Sequence, residues 1–508
     1  MKAPGNGHPV LKSFFNFVPN QFMEQEEKVI LVDEQDRPLG LMPKMEAHRK
    51  GVLHRAFSVF IFNDRGQLML QRRALSKYHS PGLWTNTVCS HQRQGEDSVS
   101  AGKRRLYEEM GFTAGLREIF SFIYRAELEN GLVEHELDHV LIGRYNGEAR
   151  PNPREAADYK WVYLSELMDD MAHHPENYTA WFKIIFEKSF SVLLNEAGKM
   201  FAAQPLKFRP YFVEKIWGNQ RLRNILGKQT PYEHTGESWE ISAVPGKESV
   251  VEEGIFKGFH MGQLWQWLDE DFWTDWKKRY RDFPLLIKFI DADDDLSVQV
   301  HPDDAMARRL HNSFGKNEAW YIMFAEPGAR LYLGFREGMD EPTYLAKWKE
   351  GAWEEILRTV EVKPGDIFYI PAGTVHAIGK GILLAEVQQT SDITYRIYDW
   401  NRPGLDGKPR PLHTDLAREA VRFDLRPRRH KEPVLQTPYF VIKKEQWTEA
   451  KKISTPQPLM VQNTGKGAFD VNGQPLSKGR TLLLWPGDYE IGITEPGEVL
   501  LTSLPTTV

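Results

Sequence analysis

Residues 84–91 read Trp84-Thr85-Asn86-Thr87-Val88-Cys89-Ser90-His91, and a few residues later the chain turns helical from Glu96 to Met110, through Arg104-Arg105-Leu106-Tyr107-Glu108-Glu109-Met110-Gly111. A strand-like run is thus followed at once by a helix that stops at glycine, the residue that most easily takes the left-handed cap conformation. Working outward, Val29–Val32, Ala56–Phe62 and Leu68–Gln71 are short apolar runs of strand type, with Asp64-Arg65-Gly66 as a hairpin turn between the last two. Strand character returns at Phe120–Tyr124 and Leu137–Tyr145, and a mostly helical stretch runs from Leu164 to about Lys199. The first unit is therefore α+β. Cys89 is the only cysteine, so it cannot close an internal disulfide; it is either core filler or a chemically used thiol, and a histidine two residues away favours use.

With 508 residues the chain exceeds what one hydrophobic core usually organises, so two or three domains are expected. Hydrophobic residues at 41%, charged residues at 27% and a net charge of -5 describe an ordinary globular composition without the basic footprint of a nucleic-acid binder. No apolar run reaches the roughly 20 residues of a membrane span, and a single cysteine fits a reducing compartment, so a cytoplasmic location is expected. Residues 1–23, with Pro4, Gly5, Gly7, Pro9 and Pro19, read as a flexible extension, and 24–195 as the first domain. Periodicity weakens over 196–206, where Ala197, Gly198, Ala202 and Ala203 gather before Pro205, which reads as a linker. Beyond it, short strands such as Leu285–Phe289, Ser297–Val300, Ala319–Phe324 and Asp366–Ile370, separated by Pro/Gly turns and interrupted by a helical patch at Pro342–Thr359, predict a mainly-β jelly roll or related barrel over 207–435. Residues 436–508 read as a smaller terminal β module.

Two groups of residues carry chemistry. In the first unit His48, His54, His91, Glu134 and Glu136 mix imidazole nitrogens with carboxylate oxygens, a donor set for a divalent ion such as zinc or manganese. Taken singly each is an ordinary polar residue; the gathering beside Cys89 is what points to a site. Glu134 and Glu136 alternate, so on a strand both face one way. In the second unit Gln299 and His301 share one side of a strand in Leu296-Ser297-Val298-Gln299-Val300-His301-Pro302-Asp303, Glu318 follows in Gly315-Lys316-Asn317-Glu318-Ala319-Trp320, and His376 comes after the Pro371-Ala372-Gly373 turn. Two imidazoles, a carboxylate and an amide oxygen suit a catalytic zinc with a position left open.

The first unit resembles the type I isopentenyl-diphosphate isomerases over about residues 26 to 190, through Ala47-His48, Leu53-His54-Arg55-Ala56-Phe57-Ser58, Arg72-Arg73-Ala74-Leu75-Ser76-Lys77, Trp84 to His91 and Glu134-His135-Glu136. That resemblance implies a Nudix fold, whose box survives in altered form as Glu96, Arg104, Leu106, Glu108, Glu109 and Gly111, with Arg105 where a pyrophosphate-hydrolysing relative carries glutamate. It implies an allylic proton shift from isopentenyl to dimethylallyl diphosphate, with Cys89 and Glu136 as the acid–base pair, Tyr124 assisting Glu136, and Trp181 facing the developing cation. Lys44, Arg73, Lys77 and Arg105 are then the diphosphate contacts, Mg²⁺ is held partly by Glu109, and Mn²⁺ or Zn²⁺ occupies the His/Glu set. The second unit resembles the type I mannose-6-phosphate isomerases, cupin-fold Zn²⁺ enzymes, also through Glu237-Ser238-Trp239-Glu240 and Gln388 to Arg396. This implies an aldose–ketose interconversion through a cis-enediol, with Lys316 and Arg396 as cationic catalytic groups, Asp392 in reach of Arg396, and Ser297 together with the two cations as phosphate contacts, acid–base duty and phosphate binding both being open to Lys316. The expected whole is a fusion of two isomerases acting on small molecules, with no nucleic-acid or membrane partner, in which linkage serves co-expression and a fragment ending near Lys199 folds alone. The alternatives are that one half is a non-catalytic diphosphate- or sugar-phosphate-binding module, or that the first is a Nudix hydrolase, against which Arg105 argues.

Overall fold

Strand His54–Phe62 has eight of its nine residues buried, all but Arg55, because both faces of its sheet are covered. It is the centre of a nine-stranded mixed sheet, antiparallel to Val88–Ser90 with Ser58 opposite Cys89, and parallel to Val133–Arg144 with His54 opposite Glu136. The computed structural model describes residues 27–506, so the extension expected over 1–23 lies outside the described residues.

Alternation divides this sheet's work. Phe57, Val59 and Ile61, with Leu141, point to one face and bury Ala101, Leu106 and Met110 of helix Ser98–Met110. That helix starts at Asp97, whose carboxylate accepts the Ser100 N–H at 2.8 Å, and ends at Gly111 with φ 76°, the cap that the sequence predicts. Phe60, Phe62, Val140 and Ile142 point the other way, into a core closed by helix Ala180–Lys199. Polar residues of that same face, toward the N-terminal ends of the parallel pair, are left to form a site.

Beyond Lys199 the next strand is Leu206–Arg209. It does not begin the barrel: it pairs with Thr481–Leu484 in a seven-stranded sheet made largely of C-terminal strands, and a four-stranded sheet completes that module. The barrel between them is built from a seven-stranded sheet, in which Thr235–Ile241, Leu285–Ala292, Ile382–Gln389 and Glu318–Ala325 are neighbours in that order, and a five-stranded sheet containing Val298–Val300 and His376–Ile378. The predicted helical patch is present as Glu341–Glu350 and Trp353–Ile356. Three short helices, Met261–Trp267, Glu270–Trp273 and Trp276–Arg279, are additional to the sequence reading.

The expected boundary is not a gap in packing. One hydrophobic core runs from Phe60 and Phe182 through Phe186, Leu193 and Ala197 to Phe256, Phe259, Phe272 and Trp485. Phe190 meets Phe259 and Trp267 at ring separations of 6.1 and 5.3 Å, and the Asn195 amide bridges the Trp267 carbonyl at 2.8 Å and the Asp269 N–H at 2.8 Å. The expectation that the first half is self-contained therefore meets a shared core, produced by the apolar far face of the long helix. Among the described residues no helix is long and apolar enough to cross a membrane.

Two candidate active sites

Four elements aim ligand-type side chains at one point in the first half. His48 comes from helix Lys44–Lys50, His54 opens the central strand, His91 follows Val88–Ser90, and Glu136 lies on Val133–Arg144. All four are buried, and one ligand atom from each falls within 4.8 Å of the others. The Glu136 Oε1 stands 3.1 Å from His91 Nε2 and 3.4 Å from His54 Nε2. His54 gives its Nδ1 proton to the Val52 carbonyl at 2.8 Å, which leaves the Nε2 lone pair facing the cluster. Both ring nitrogens of His48 are buried without a partner, and burial, with its imidazole neighbours, holds its pKa down to about 3. A neutral, desolvated, unpartnered imidazole among carboxylate and imidazole donors is a fit for a divalent ion. Glu134, expected as a fifth ligand, lines the same pocket but stands outside the compact set of four, its Oε2 accepting the Tyr124 hydroxyl at 3.2 Å.

Tyr124 reaches Glu136 more closely, donating to Oε2 at 2.6 Å. Burial drives Glu134 well above the usual carboxylate range, the charge of Glu136 adding to it, whereas at Glu136 the neighbouring imidazoles of His54 and His91 outweigh burial and hold the carboxyl well below that range. Burial and then Asp138 push the Cys89 thiol up, so it keeps its proton. The pocket thus holds a protonated thiol on one neighbour of the central strand and an ionised carboxylate on the other. Trp181, at the start of the long helix, lines the same pocket, and the Arg73 guanidinium lies 5.1 Å from its ring centre. His79, which the sequence reading passes over, packs edge-on against Trp181 at 5.7 Å.

Lys44, Arg73, Lys77 and Arg105 all line this pocket. Lys44 pairs with Glu27 at 3.1 Å and Lys77 with Glu155. Arg105 grips Glu109 Oε1 with Nε at 3.0 Å and Nη2 at 2.7 Å, while Gln71 donates to the other oxygen at 3.0 Å. A cation thus occupies the place beside Glu109 where a second carboxylate would gather metal.

In the second half His301, Glu318 and His376 bring ligand atoms within 4.8 Å of one another, all three buried. Gln299 lies opposite His376 in the strand register, its amide nitrogen 3.3 Å from His376 Nε2; exchanging the amide's oxygen and nitrogen turns an acceptor to the cluster. His301 and His376 each spend Nδ1 on a backbone carbonyl, of Ile393 and Thr374, at 2.9 Å, so both Nε2 lone pairs converge. Burial, reinforced by Lys316, holds His301 down to about 3, neutral and ready to ligate. Lys316 Nζ lies 2.6 Å from Glu318 Oε1 and 3.0 Å from His301 Nε2.

Two of the expected partners separate. Asp392 pairs with Lys247 at 2.8 Å instead of Arg396. Arg396 donates to Ser297 Oγ at 3.3 Å and to the Pro411 carbonyl at 3.0 Å, because the strand Tyr395–Tyr398 aims it away from the loop that carries Asp392. Sequence reasoning also missed Lys288 and Glu386. They are register partners on adjacent barrel strands, joined at 3.1 Å, with Glu237 at 3.6 Å from the same ammonium and Trp239 beneath it at 4.7 Å. The available signal was a lysine and a glutamate inside the apolar runs Leu285–Ala292 and Ile382–Gln389.

With these geometries in hand, comparison with known proteins is direct. The NUDIX domain family matches residues 52–182, and the phosphomannose isomerase type I catalytic domain family matches 206–321. Isopentenyl-diphosphate Delta-isomerase 2 of Aromatoleum aromaticum is 51% identical over 174 residues, which is 34% of this chain and 92% of that protein. Mannose-6-phosphate isomerase ManA of Bacillus subtilis is 38% identical over 318 residues, 59% of this chain and 99% of that one. The chain belongs to both isomerase families, joined in series. The crystal structure of the mannose 6-phosphate isomerase from Bacillus subtilis superimposes with a TM-score of 0.54 at 32% identity, covering 59% of this chain and 99% of that chain. The Nudix isomerase half accounts for the Cys89 pocket, and the phosphomannose isomerase half for the His301, Glu318 and His376 cluster.

Proposed function

We propose that this chain is a bifunctional isomerase: its first half interconverts isopentenyl and dimethylallyl diphosphate, and its second half interconverts mannose 6-phosphate and fructose 6-phosphate. The observation that carries the reading is the convergence of two separate buried donor clusters, one beside the lone thiol and one inside the barrel. An allylic 1,3-shift needs a proton donor and a proton acceptor at the two ends of a three-carbon unit, and Cys89 and the Glu136–Tyr124 pair supply both in one pocket. Trp181 offers a π face to the tertiary cation between the two transfers, worth about 1–2 kcal/mol when water is excluded. Lys44, Arg73, Lys77 and Arg105 would bind the diphosphate, and Glu109 would hold Mg²⁺ in part. His48, His54, His91 and Glu136, with Glu134 beside them, would hold Mn²⁺ or Zn²⁺, which polarises and orients anionic oxygens.

In the second half Gln299, His301, Glu318 and His376 would hold Zn²⁺, which supplies Lewis acidity toward the sugar oxygens. Lys316 and Arg396 carry the cationic roles, and Ser297, held by Arg396, serves the phosphate. Asp392, paired with Lys247, would contact substrate, and the Lys288, Glu386 and Glu237 network supplies proton-carrying groups in the barrel interior. We assign residues 24–195 and 207–508 to the two activities and place both in the cytoplasm, on the single cysteine.

The test is to assay the whole purified chain with each substrate and then separate the sites by mutation. Cys89→Ala should lower the allylic isomerisation by at least about 1000-fold and leave fructose 6-phosphate formation intact. Glu318→Ala should do the reverse. Loss of both activities in either variant, or of neither, overturns the assignment.

A further inference from the structure

His79 is 5% exposed, lines the isoprenoid pocket, and has a buried Nδ1 without a partner. It stands outside the compact donor set of His48, His54, His91 and Glu136. Its other polar atoms are engaged by one neighbour: Arg73 directs Nη2 to the His79 carbonyl at 3.2 Å and to the ring Nε2 at 3.5 Å. A guanidinium has protons to give and no lone pair to offer, so Nε2 can only accept in that contact. A neutral imidazole that accepts at Nε2 carries its proton on Nδ1, and an imidazolium carries one there as well. In either state the pocket receives an N–H donor that the protein leaves unmatched. A buried donor is kept at a cost unless something bound beside it accepts from it.

The placement of this ring is held from several sides. It packs edge-on against Trp181 at 5.7 Å, and the Arg73 guanidinium stands 5.1 Å from the centre of the same indole, so the three side chains form one block. The loop that carries His79 is tied to the strand Leu68–Arg73: the Gly82 N–H donates to the Arg73 carbonyl at 3.1 Å, and the Arg73 N–H to the Leu83 carbonyl at 2.9 Å. Ser80, the next residue, has φ 48°, in the left-handed region that a side chain with a Cβ enters at a cost, and such residues gather at ligand sites. Trp181 is the wall for the hydrocarbon and Arg73 a contact for the diphosphate, so His79, which touches both, stands where the two parts of the substrate join. The carbon chain of isopentenyl diphosphate has no hydrogen-bond acceptor. Its phosphoryl oxygens do accept.

We propose that His79 is a substrate-binding residue, donating from Nδ1 to the phosphoryl group nearest the carbon chain and so fixing how far that chain runs past Trp181 toward Cys89 and Glu136. The inference rests on the first half binding a diphosphate, and its primary readout tests that without turnover: isothermal titration calorimetry of the full-length enzyme with inorganic diphosphate and Mg²⁺. Three substitutions separate the possible roles of the ring. Asparagine sets an amide nitrogen near the place of Nδ1, glutamine sets its amide near Nε2, and phenylalanine keeps a ring against Trp181 with no N–H. His79→Phe and His79→Gln should each weaken diphosphate binding about 10- to 100-fold, the worth of a hydrogen bond to a charged group, and lower kcat/KM for isopentenyl diphosphate by a similar factor. His79→Asn should stay within about threefold of wild type on both measures. Mannose-6-phosphate isomerase activity in the same samples reports folding; should His79→Phe fail it, the Asn and Gln pair decides. Undiminished binding in His79→Phe or His79→Gln overturns the proposal. So does a loss in His79→Asn as large as that in His79→Gln, which would leave His79 a support for Arg73 and Trp181 alone. A wild type that takes up no diphosphate brings down the underlying reading of the pocket and the proposal with it.

Discussion

Lys288 stands in the middle of an apolar strand with less than a tenth of its side chain exposed, between Glu386 and Glu237. Such a charge persists in a barrel interior only when it is paired on more than one side. Burial alone would raise the Glu237 carboxyl, but Lys215 and Lys288 outweigh it and hold it at about 2, against 4.5 ordinarily. A depressed carboxylate stabilises the fold fully above its unfolded pKa and loses that contribution as the pH falls through 4.5 toward 2. Glu237→Gln should therefore be less stable than wild type by about 3 kcal/mol at pH 6, with the two stabilities converging by pH 2 to 3 in denaturant melts; a constant difference across that range would refute the ion-pair account. At this scale the two buried donor clusters were legible, because histidines in short motifs are few and their spacing constrains them. Lys288 and Glu386 were not, because only strand register brings residues 288 and 386 together. Asp392 was misjudged as a neighbour of Arg396 for the opposite reason: four residues apart in sequence, they are set on different sides of a turn and a strand.

The helix Ala180–Lys199 shows what an element can do that its sequence period does not announce. Its first turn carries Trp181 to the isoprenoid pocket, and its last turns carry Phe190, Asn195 and Gly198 to the other half. A Cβ added at Gly198 would lie 2.7 Å from Phe256 Cζ and 2.9 Å from Phe272 Cζ. Helix propensity favours alanine over glycine by about 1 kcal/mol, yet overpacking two buried rings costs about 1–3 kcal/mol and more where they cannot move. Gly198→Ala should thus lower the melting temperature of the full chain, a sign opposite to propensity; a rise in thermal scans would mean that the interface gives way. Strands and long helices were readable because both faces of a buried sheet, or one stripe of a helix, leave a period. The short helices between Met261 and Arg279 were not, since Trp265, Phe272, Trp273 and Trp276 dominate them and aromatic residues favour strands where no tertiary contact decides.

On the scale of the whole molecule the two halves share more than a peptide bond. Helix Ala180–Lys199 closes the first core on one side and enters the second on the other, with Phe186, Leu193 and Ala197 in the same cluster as Phe256, Phe272 and Trp485. Polar contacts fix the register: Ser165 donates to the Lys257 carbonyl at 2.6 Å, Lys199 meets Asp271 at 2.6 Å, and the Asn472 amide reaches the Ala203 carbonyl at 2.9 Å. Gly66, at the tip of the predicted hairpin, approaches so closely that a Cβ would lie 2.2 Å from the Ile255 nitrogen. Each large apolar side chain buried here is worth about 1.5–3 kcal/mol, so cutting after Lys199 exposes a surface that the first half was not built to present to water. Expressed alone, residues 1–199 should aggregate or melt well below the full chain. Co-expressed as separate chains, 1–199 and 200–508 should elute together in size-exclusion chromatography and recover both activities. A monodisperse, fully active 1–199 fragment would show that the shared core is dispensable to the first half, and that linkage does no more than keep the two enzymes in equal amounts.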